Sequence, residues 1–198
     1  MSFGLDRRWR RKVVDLLELE KGMKIEDIGA GSGKVTEEML RRYSDLQIEA
    51  LDLTEEMFPK SIKNVRFTVA SAENLPFENN QFDRCVSCFL TRNVPNLKRY
   101  MDESFRTLKS GGKFCNMDIF DPGKGFMAPA FRFYFYGLMP TLMNMATRTE
   151  AYTYLANSVR NFVTPGRFAE IMKETGYENI ESFSLGAGSV HIHRGTKP

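Results

Sequence analysis

Residues Met23–Tyr43 read MKIEDIGAGSGKVTEEMLRRY. Met23 to Ile28 is a short strand candidate that runs directly into Gly29-Ala-Gly-Ser-Gly33. Lys34 to Tyr43 then has the spacing of a helix, with Val35, Met39 and Leu40 turned inward. Glycines between a strand and a helix let the backbone bend tightly and approach a ligand closely. The helix start beyond them offers free N–H groups to an anion. Asp52 closes the next strand candidate, Ile48 to Leu53, roughly 20 residues on, where a carboxylate can accept hydrogen bonds from both hydroxyls of a ribose. Asp27, the loop glycines Gly29, Gly31 and Gly33, and Asp52 are therefore the candidate nucleoside contacts.

The spacing narrows the ligand. A dinucleotide fingerprint is G-x-G-x-x-G, but here Lys34 stands at the third glycine position and the glycines fall as G-x-G-x-G. The Lys-Ser/Thr ending of a phosphate-binding P-loop is also missing.

Outward from this unit, Arg7 to Leu19 reads as an amphipathic helix ended by Lys21-Gly22. Val65 to Ala70 is a third strand. Phe82 to Leu90 is a fourth, nearly all apolar after Arg84, as a strand covered on both faces should be. Asn96 to Leu108 is helical and is stopped by Ser110-Gly111-Gly112; Lys113 to Phe120 is a fifth strand. This alternation predicts a parallel sheet with right-handed crossovers. Pro122 to Pro140 is rich in Gly, Pro and aromatics, and Thr141 to Asn161 is helical, so residues 121–161 read as an insertion over the strand C-termini. A helix from Pro165 to Thr175 follows. Strands Tyr177–Leu185 and Ser189–Arg194, joined by Gly186-Ala-Gly188, then pair antiparallel. At 198 residues the whole chain, 1–198, fits one domain carrying that insertion.

Composition excludes several classes. The net charge of +3 is too small to point to nucleic acid, and no Asn/Asp-Pro-Pro-Tyr motif for a flipped base is present. No apolar run is long enough to span a bilayer, and the basic start, Met1 to Lys12, lacks the apolar core of a signal peptide. Three cysteines, Cys85, Cys88 and Cys115, suit a reducing cytoplasm. Cys85 and Cys88, three apart on a strand, point to opposite faces and read as free thiols. His191 and His193 share one strand face, and no third ligand is apparent, so no metal site is expected. The aromatics and methionines clustered between Phe114 and Tyr154 read either as helical core or as the wall of a site for a greasy ligand.

Ser71-Ala-Glu-Asn-Leu-Pro-Phe77, then Asn80-Gln-Phe-Asp83, then Phe89-Leu-Thr-Arg-Asn-Val94 resemble the quinone-biosynthesis C-methyltransferases of the UbiE type. Met1 to Leu5, Arg7-Arg-Trp-Arg-Arg11, Ala151-Tyr-Thr-Tyr-Leu-Ala-Asn-Ser-Val159 and Gly188 to Lys197 are similar to further family stretches, so the likeness covers nearly the whole chain. It implies a Rossmann-like class I methyltransferase fold: α/β, with a mostly parallel seven-stranded sheet, a C-terminal antiparallel hairpin and helices on both faces. It implies S-adenosyl-L-methionine as cofactor and a demethylmenaquinol or related quinol precursor as acceptor. Ser32 takes the family's loop-hydroxyl position, and Ser71 and Ala72 flank the adenine. Cys88 stands where the family often has a serine. Arg92 and Asn93 match a motif facing the quinol pocket. Ser71 is shorter than the family's usual Asn or Asp. The segment from Asp52 to Val65 is short enough to clip a helix. The chain opens at Met1-Ser-Phe-Gly-Leu5, where the family carries an upstream segment with a Tyr-Asp motif near the cofactor, so the lid and some catalytic contacts are expected to differ.

On this reading Arg92 stabilises a developing phenolate and orients a water, since arginine stays protonated and is a poor base, and Asn93 holds a ring oxygen. The competing readings are a surface or helix-capping arginine and a turn asparagine. Tyr154 and His193 are substrate candidates, with a hydrogen-bonded sheet histidine as the alternative for His193. The Arg7–Lys12 cluster is either a solvated helix face or a peripheral membrane contact with Trp9 in the interface. A homo-oligomer is left open. The rival functions are a methyltransferase for another small molecule, and a non-catalytic cofactor-binding partner in a quinone-synthesis complex.

Overall fold

The structure is a computed structural model that describes residues 5–62, 65–123 and 128–198. The expectations placed on Met1 to Gly4 and on residues 124–127 lie outside the described residues.

Seven strands form one sheet in the order β3-β2-β1-β4-β5-β7-β6. These are β1 (Lys24–Ile28), β2 (Gln47–Asp52), β3 (Arg66–Val69), β4 (Phe82–Cys88), β5 (Leu108–Ile119), β6 (Glu178–Leu185) and β7 (Val190–Thr196). The first five run parallel, and β7 pairs antiparallel with both β5 and β6. The chain builds outward from β1 to β3, then crosses back to lay β4 on the other side of β1. That reversal leaves a crevice at the carboxyl ends of β1 and β4, the usual ligand position in such sheets.

Each sheet face has its own apolar layer. On one, α1 (Leu5–Leu16) and α2 (Lys34–Arg42) lay Val13, Val14, Val35 and Met39 over Ile25, Ile48 and Val86. On the other, α3 (Leu97–Thr107) and, further along the chain, the helix Pro165–Thr175 lay Tyr100, Met101, Phe168 and Met172 over Ile28, Cys85 and Phe114. Cys85 and Cys88 do fall in opposite layers, and both thiols are free.

Local chemistry sets most boundaries. The carbonyls of Leu17 and Glu18, just past α1, accept from the Arg84 guanidinium, so the helix stops three residues before the sequence expectation of Leu19. Asn96 caps α3 by accepting from the Arg99 N–H. β4 ends at Cys88 rather than Leu90, because Phe89 turns into the left-handed region at φ 64°. β5 starts at Leu108, not Lys113. Ser110-Gly111-Gly112 is no helix stop but a bulge, where pairing jumps from Phe82↔Leu108 to Arg84↔Lys113.

Between β5 and the last helix lie α4 (Ala128–Arg132), a π-helical turn (Phe133–Leu138), α5 (Met139–Thr147) and α6 (Ala151–Asn161); the last helix is thus α7 (Pro165–Thr175). The single helix expected over Thr141–Asn161 is broken at Arg148, which adopts φ 54°. Asp121 anchors this segment to the end of β5 by accepting from Arg132 and the Tyr136 hydroxyl, and the hydrogen bonds from Arg132 hold its carboxyl down at about 2. Among the described residues between Asp52 and Val65 there is one 3-10 turn, Glu55–Met57, in place of a full helix. No helix among the described residues is long and apolar enough to cross a membrane.

Glu26 is a charge-bearing side chain wholly buried in the middle of β1. The Thr107 hydroxyl donates to it at 2.7 Å, and burial pushes its carboxyl up to about 8. The unfolded carboxyl ionises near 4.5 while the folded one keeps its proton to about 8, so the folded state binds more protons throughout that window. Stability from this residue is full below 4.5 and is lost as pH rises towards 8. Glu26→Gln, which keeps the shape and the acceptor, should flatten the fall in urea midpoint over that range. Parallel curves for the two proteins would overturn the assignment.

Candidate functional site

The loop after β1 is sutured to β2. The N–H groups of Gly29 and Ala30 both donate to the Leu51 carbonyl, at 2.8 and 2.9 Å, and the Gly31 N–H donates to the Asp52 carboxylate at 3.0 Å. The other Asp52 oxygen accepts from the Thr54 N–H. Two positions admit only glycine. A Cβ on Gly29 would lie 2.8 Å from the Leu90 side chain and one on Gly33 2.6 Å from Pro59, both at positive φ. Gly33 also leaves the start of α2 with no side-chain cap, and exposed Ser32 stands beside it.

Asp27 is buried under this loop and accepts from the Thr36 hydroxyl at 2.5 Å, tying β1 to the first turn of α2. Burial lifts its carboxyl to about 6.

Three cavities meet at the crevice. One of about 400 Å³ lies over the glycine loop and includes Asp27, Ser32, Asp52 and Cys88. A slot of about 130 Å³ runs between Leu51, Ala72, Leu90 and Val94, with Ser71 at its edge. A third, of about 440 Å³, opens between Arg92 and α6. Asn93 lines all three. The Ser71 hydroxyl oxygen accepts from the Glu73 N–H, and Ala72 is buried in the apolar layer. Burial raises the Cys88 thiol well above its usual range, so it is not a thiolate at neutral pH.

The Arg92-Asn93 pair splits into two roles. Residues Thr91–Asn93 form a 3-10 turn after β4. Arg92 is mostly buried, and its Nη1 donates to Asp118 at 2.5 Å and to the Phe89 carbonyl at 2.8 Å. Asp118, wholly buried near the end of β5, also accepts from the Thr91 hydroxyl and from the Arg92 and Ile119 N–H groups. It therefore fixes the turn and offsets the arginine's charge. Asn93, by contrast, is exposed, and its carbonyl oxygen accepts from the Tyr154 hydroxyl of α6 at 3.3 Å.

Other expected residues lie elsewhere. The His193 ring is wholly buried between Phe120 and Phe168, and its Nε2 is 3.0 Å from the Pro165 carbonyl. Burial lowers it to about 4, so it is a neutral sheet histidine with no surface for a substrate. Trp9 is half-buried, packing against the core and beside Gly186. Its neighbour Arg10 reaches the cavity over the glycine loop and lies 5.7 Å from the Phe89 ring. Sequence reasoning missed Asp118 and Arg10. The first lies inside a strand and the second sits in a run of arginines, so neither carries a local signal. No group of His, Cys, Asp or Glu among the described residues could hold a metal ion.

The ubiE/COQ5 methyltransferase family model matches residues 1–197. The chain belongs to that family. The ubiquinone/menaquinone biosynthesis C-methyltransferase UbiE of Rickettsia akari is 32% identical over 211 residues, spanning 100% of this chain and 85% of that one. The same-named protein of Idiomarina loihiensis is 30% identical over 208 residues, spanning 100% and 83%. Among solved structures, phosphoethanolamine N-methyltransferase 2 of Haemonchus contortus, in complex with S-adenosyl-L-methionine, superposes with a TM-score of 0.72 at 16% identity, over 96% of this chain and 52% of that one. A SAM-dependent methyltransferase of Thermotoga maritima gives 0.65 at 18% identity, over 100% and 93%. These two likenesses show the class I methyltransferase fold.

Two variants separate the halves of the site. Asp52→Ala should weaken cofactor binding about 10- to 100-fold by calorimetry, the loss of one or two hydrogen bonds to a charged group. Asp118→Asn should leave that affinity intact while lowering kcat, because Arg92 and Asn93 lose their anchor. If both variants bind cofactor as the parent does, the nucleoside site is misplaced.

Proposed function

We propose that this chain transfers a methyl group from S-adenosyl-L-methionine to a ring carbon of a demethylmenaquinol or related quinol precursor. The observation that carries the reading is the full-length match to UbiE C-methyltransferases combined with Arg92 and Asn93 at the mouth between cofactor crevice and acceptor cleft.

The residues present fit the cofactor. Asp52 has acceptor capacity left for ribose hydroxyls. The uncapped start of α2 suits a carboxylate, and Asp27 and Asp52 suit an ammonium group. The slot between Leu51, Ala72, Leu90 and Val94 suits a flat base. When bound, S-adenosyl-L-methionine supplies an electrophilic methyl on a sulfonium and departs as the neutral thioether.

The protein's own contribution is positioning and charge stabilisation. The acceptor must be the reduced quinol, whose hydroxyls enrich the ring carbon. A phenolic proton passes to water, and the bond from ring carbon to methyl forms as the sulfur–methyl bond breaks. The ring-carbon proton then leaves, and the oxygen is reprotonated. Arg92 Nη2 has no hydrogen-bond partner among the described residues and is the donor available to the developing phenolate. Asp118 fixes its direction. Asn93 and Tyr154 hold the ring oxygen.

A greasy tail on such an acceptor favours peripheral membrane contact. Tyr134, Leu138, Leu142 and Met145 recur at helical spacing, and all four are exposed, Met145 at 76%. Residues 122–149 contain no acid and, besides Arg132, which Asp121 pairs, the cations Lys124 and Arg148, which suit an anionic surface. Flotation with anionic vesicles should carry the protein upward, and Leu142→Asp with Met145→Asp should abolish it. Equal flotation of parent and variant would remove this surface.

The decisive assay is mass spectrometry of a demethylated quinol incubated with protein and cofactor under reducing conditions. One methyl on a ring carbon is expected. No product from naphthoquinols or benzoquinols alike would overturn the reading.

A further inference from the structure

The acceptor cleft has two walls of different origin. One is the turn bearing Arg92 and Asn93, followed by Val94, Pro95 and Leu97. The other is a single face of α6, on which Tyr154, Asn157, Ser158 and Asn161 recur at intervals of three and four residues. Tyr154 at one end of that face already bonds to Asn93 across the gap. Ser158 uses its hydroxyl internally, donating to the Leu155 carbonyl at 2.9 Å. Asn157 and Asn161 are exposed, one helical turn apart, and their amides have no hydrogen-bond partner among the described residues.

The charge of this cleft is informative. Arg92 is the only ionisable side chain other than Tyr154 among its described lining residues, and its charge is offset by Asp118 at 2.5 Å. An acceptor with a phosphate or carboxylate would find, among these residues, no cation beyond Arg92, whose charge Asp118 already offsets. A neutral ring bearing two oxygens would find amides, which both donate and accept. That versatility matters because a quinol oxygen changes from donor to acceptor when it loses its proton.

We infer that Asn157 and Asn161 read the second ring oxygen of the acceptor, the one remote from Asn93, and so make the enzyme selective for a dihydroxylated, uncharged ring. This rests on the quinol reading and assigns its specificity to α6. Arg92, Asn93 and Tyr154 serve the oxygen beside the transferred methyl, and the amide pair measures what lies opposite. The pair is a specificity element rather than part of the reacting centre.

The test compares the quinol with an analogue in which the remote hydroxyl is replaced by hydrogen, using the parent, Asn157→Ala with Asn161→Ala, and Asn157→Leu with Asn161→Leu. Alanine favours an exposed helix, so the first double variant should keep its thermal midpoint and its cofactor affinity. The parent should prefer the quinol by about tenfold or more in kcat/KM, the worth of a neutral hydrogen bond. Both double variants should shrink that ratio by about tenfold through KM for the quinol, leaving the difference in kcat that the lost hydroxyl imposes on the ring. An unchanged ratio in a folded, cofactor-binding variant would overturn the inference and leave quinol methylation standing. Failure of the parent to methylate the quinol at all would instead sink the underlying function.

Discussion

A short set of main-chain hydrogen bonds supports everything else at the crevice. Gly29 and Ala30 give their N–H groups to the Leu51 carbonyl, and Gly31 gives its own to Asp52. These bonds lock the turn after β1 against the end of β2. They hold α2 at one angle and keep the Asp52 carboxylate beside the loop. Glycine is required because Leu90 and Pro59 occupy the space a side chain would need. The close approach that makes the loop a ligand cradle is thus the same approach that packs the turn after β4 and the segment after β2 around it.

The second fixed point is Asp118. A buried carboxylate is costly unless its oxygens are satisfied, and here four donors converge on it. Three of the four come from the turn that carries Arg92 and Asn93. The carboxylate therefore converts an irregular connection at the end of β4 into a defined platform. It also tempers the guanidinium, leaving a directed donor in a cleft with little net charge. Across that cleft, α6 is held by Tyr154 reaching to Asn93 and by the anchoring of its whole segment at Asp121.

Burial has separated the polar groups of the molecule into working and silent ones. Asp52 and Asn93 keep a side open to the cavities. Glu26, Cys85 and His193 are enclosed, and burial drives each towards its neutral form. His193 lies on the strand next to Asp118 yet has no path to the crevice, because Phe120 and Phe168 close over its ring.

The sequence by itself determined the strand-loop-helix unit at Met23–Tyr43, the acid at Asp52, the parallel alternation and the final antiparallel hairpin. All of these follow from glycine conformational freedom and from local periodicity, which act over a few residues. Strand ends at Cys88 and Leu108, the break at Arg148 and the fate of Arg92 and Trp9 were decided only by tertiary structure. Each depends on what a distant segment presents: the carbonyl of Met117 receiving the Phe89 N–H, Asp118 receiving the arginine, the turn at Gly186 receiving the indole. A side chain's chemistry is written in the sequence. Whether it faces water, a ligand or a counter-charge is set by partners that only folding brings within reach.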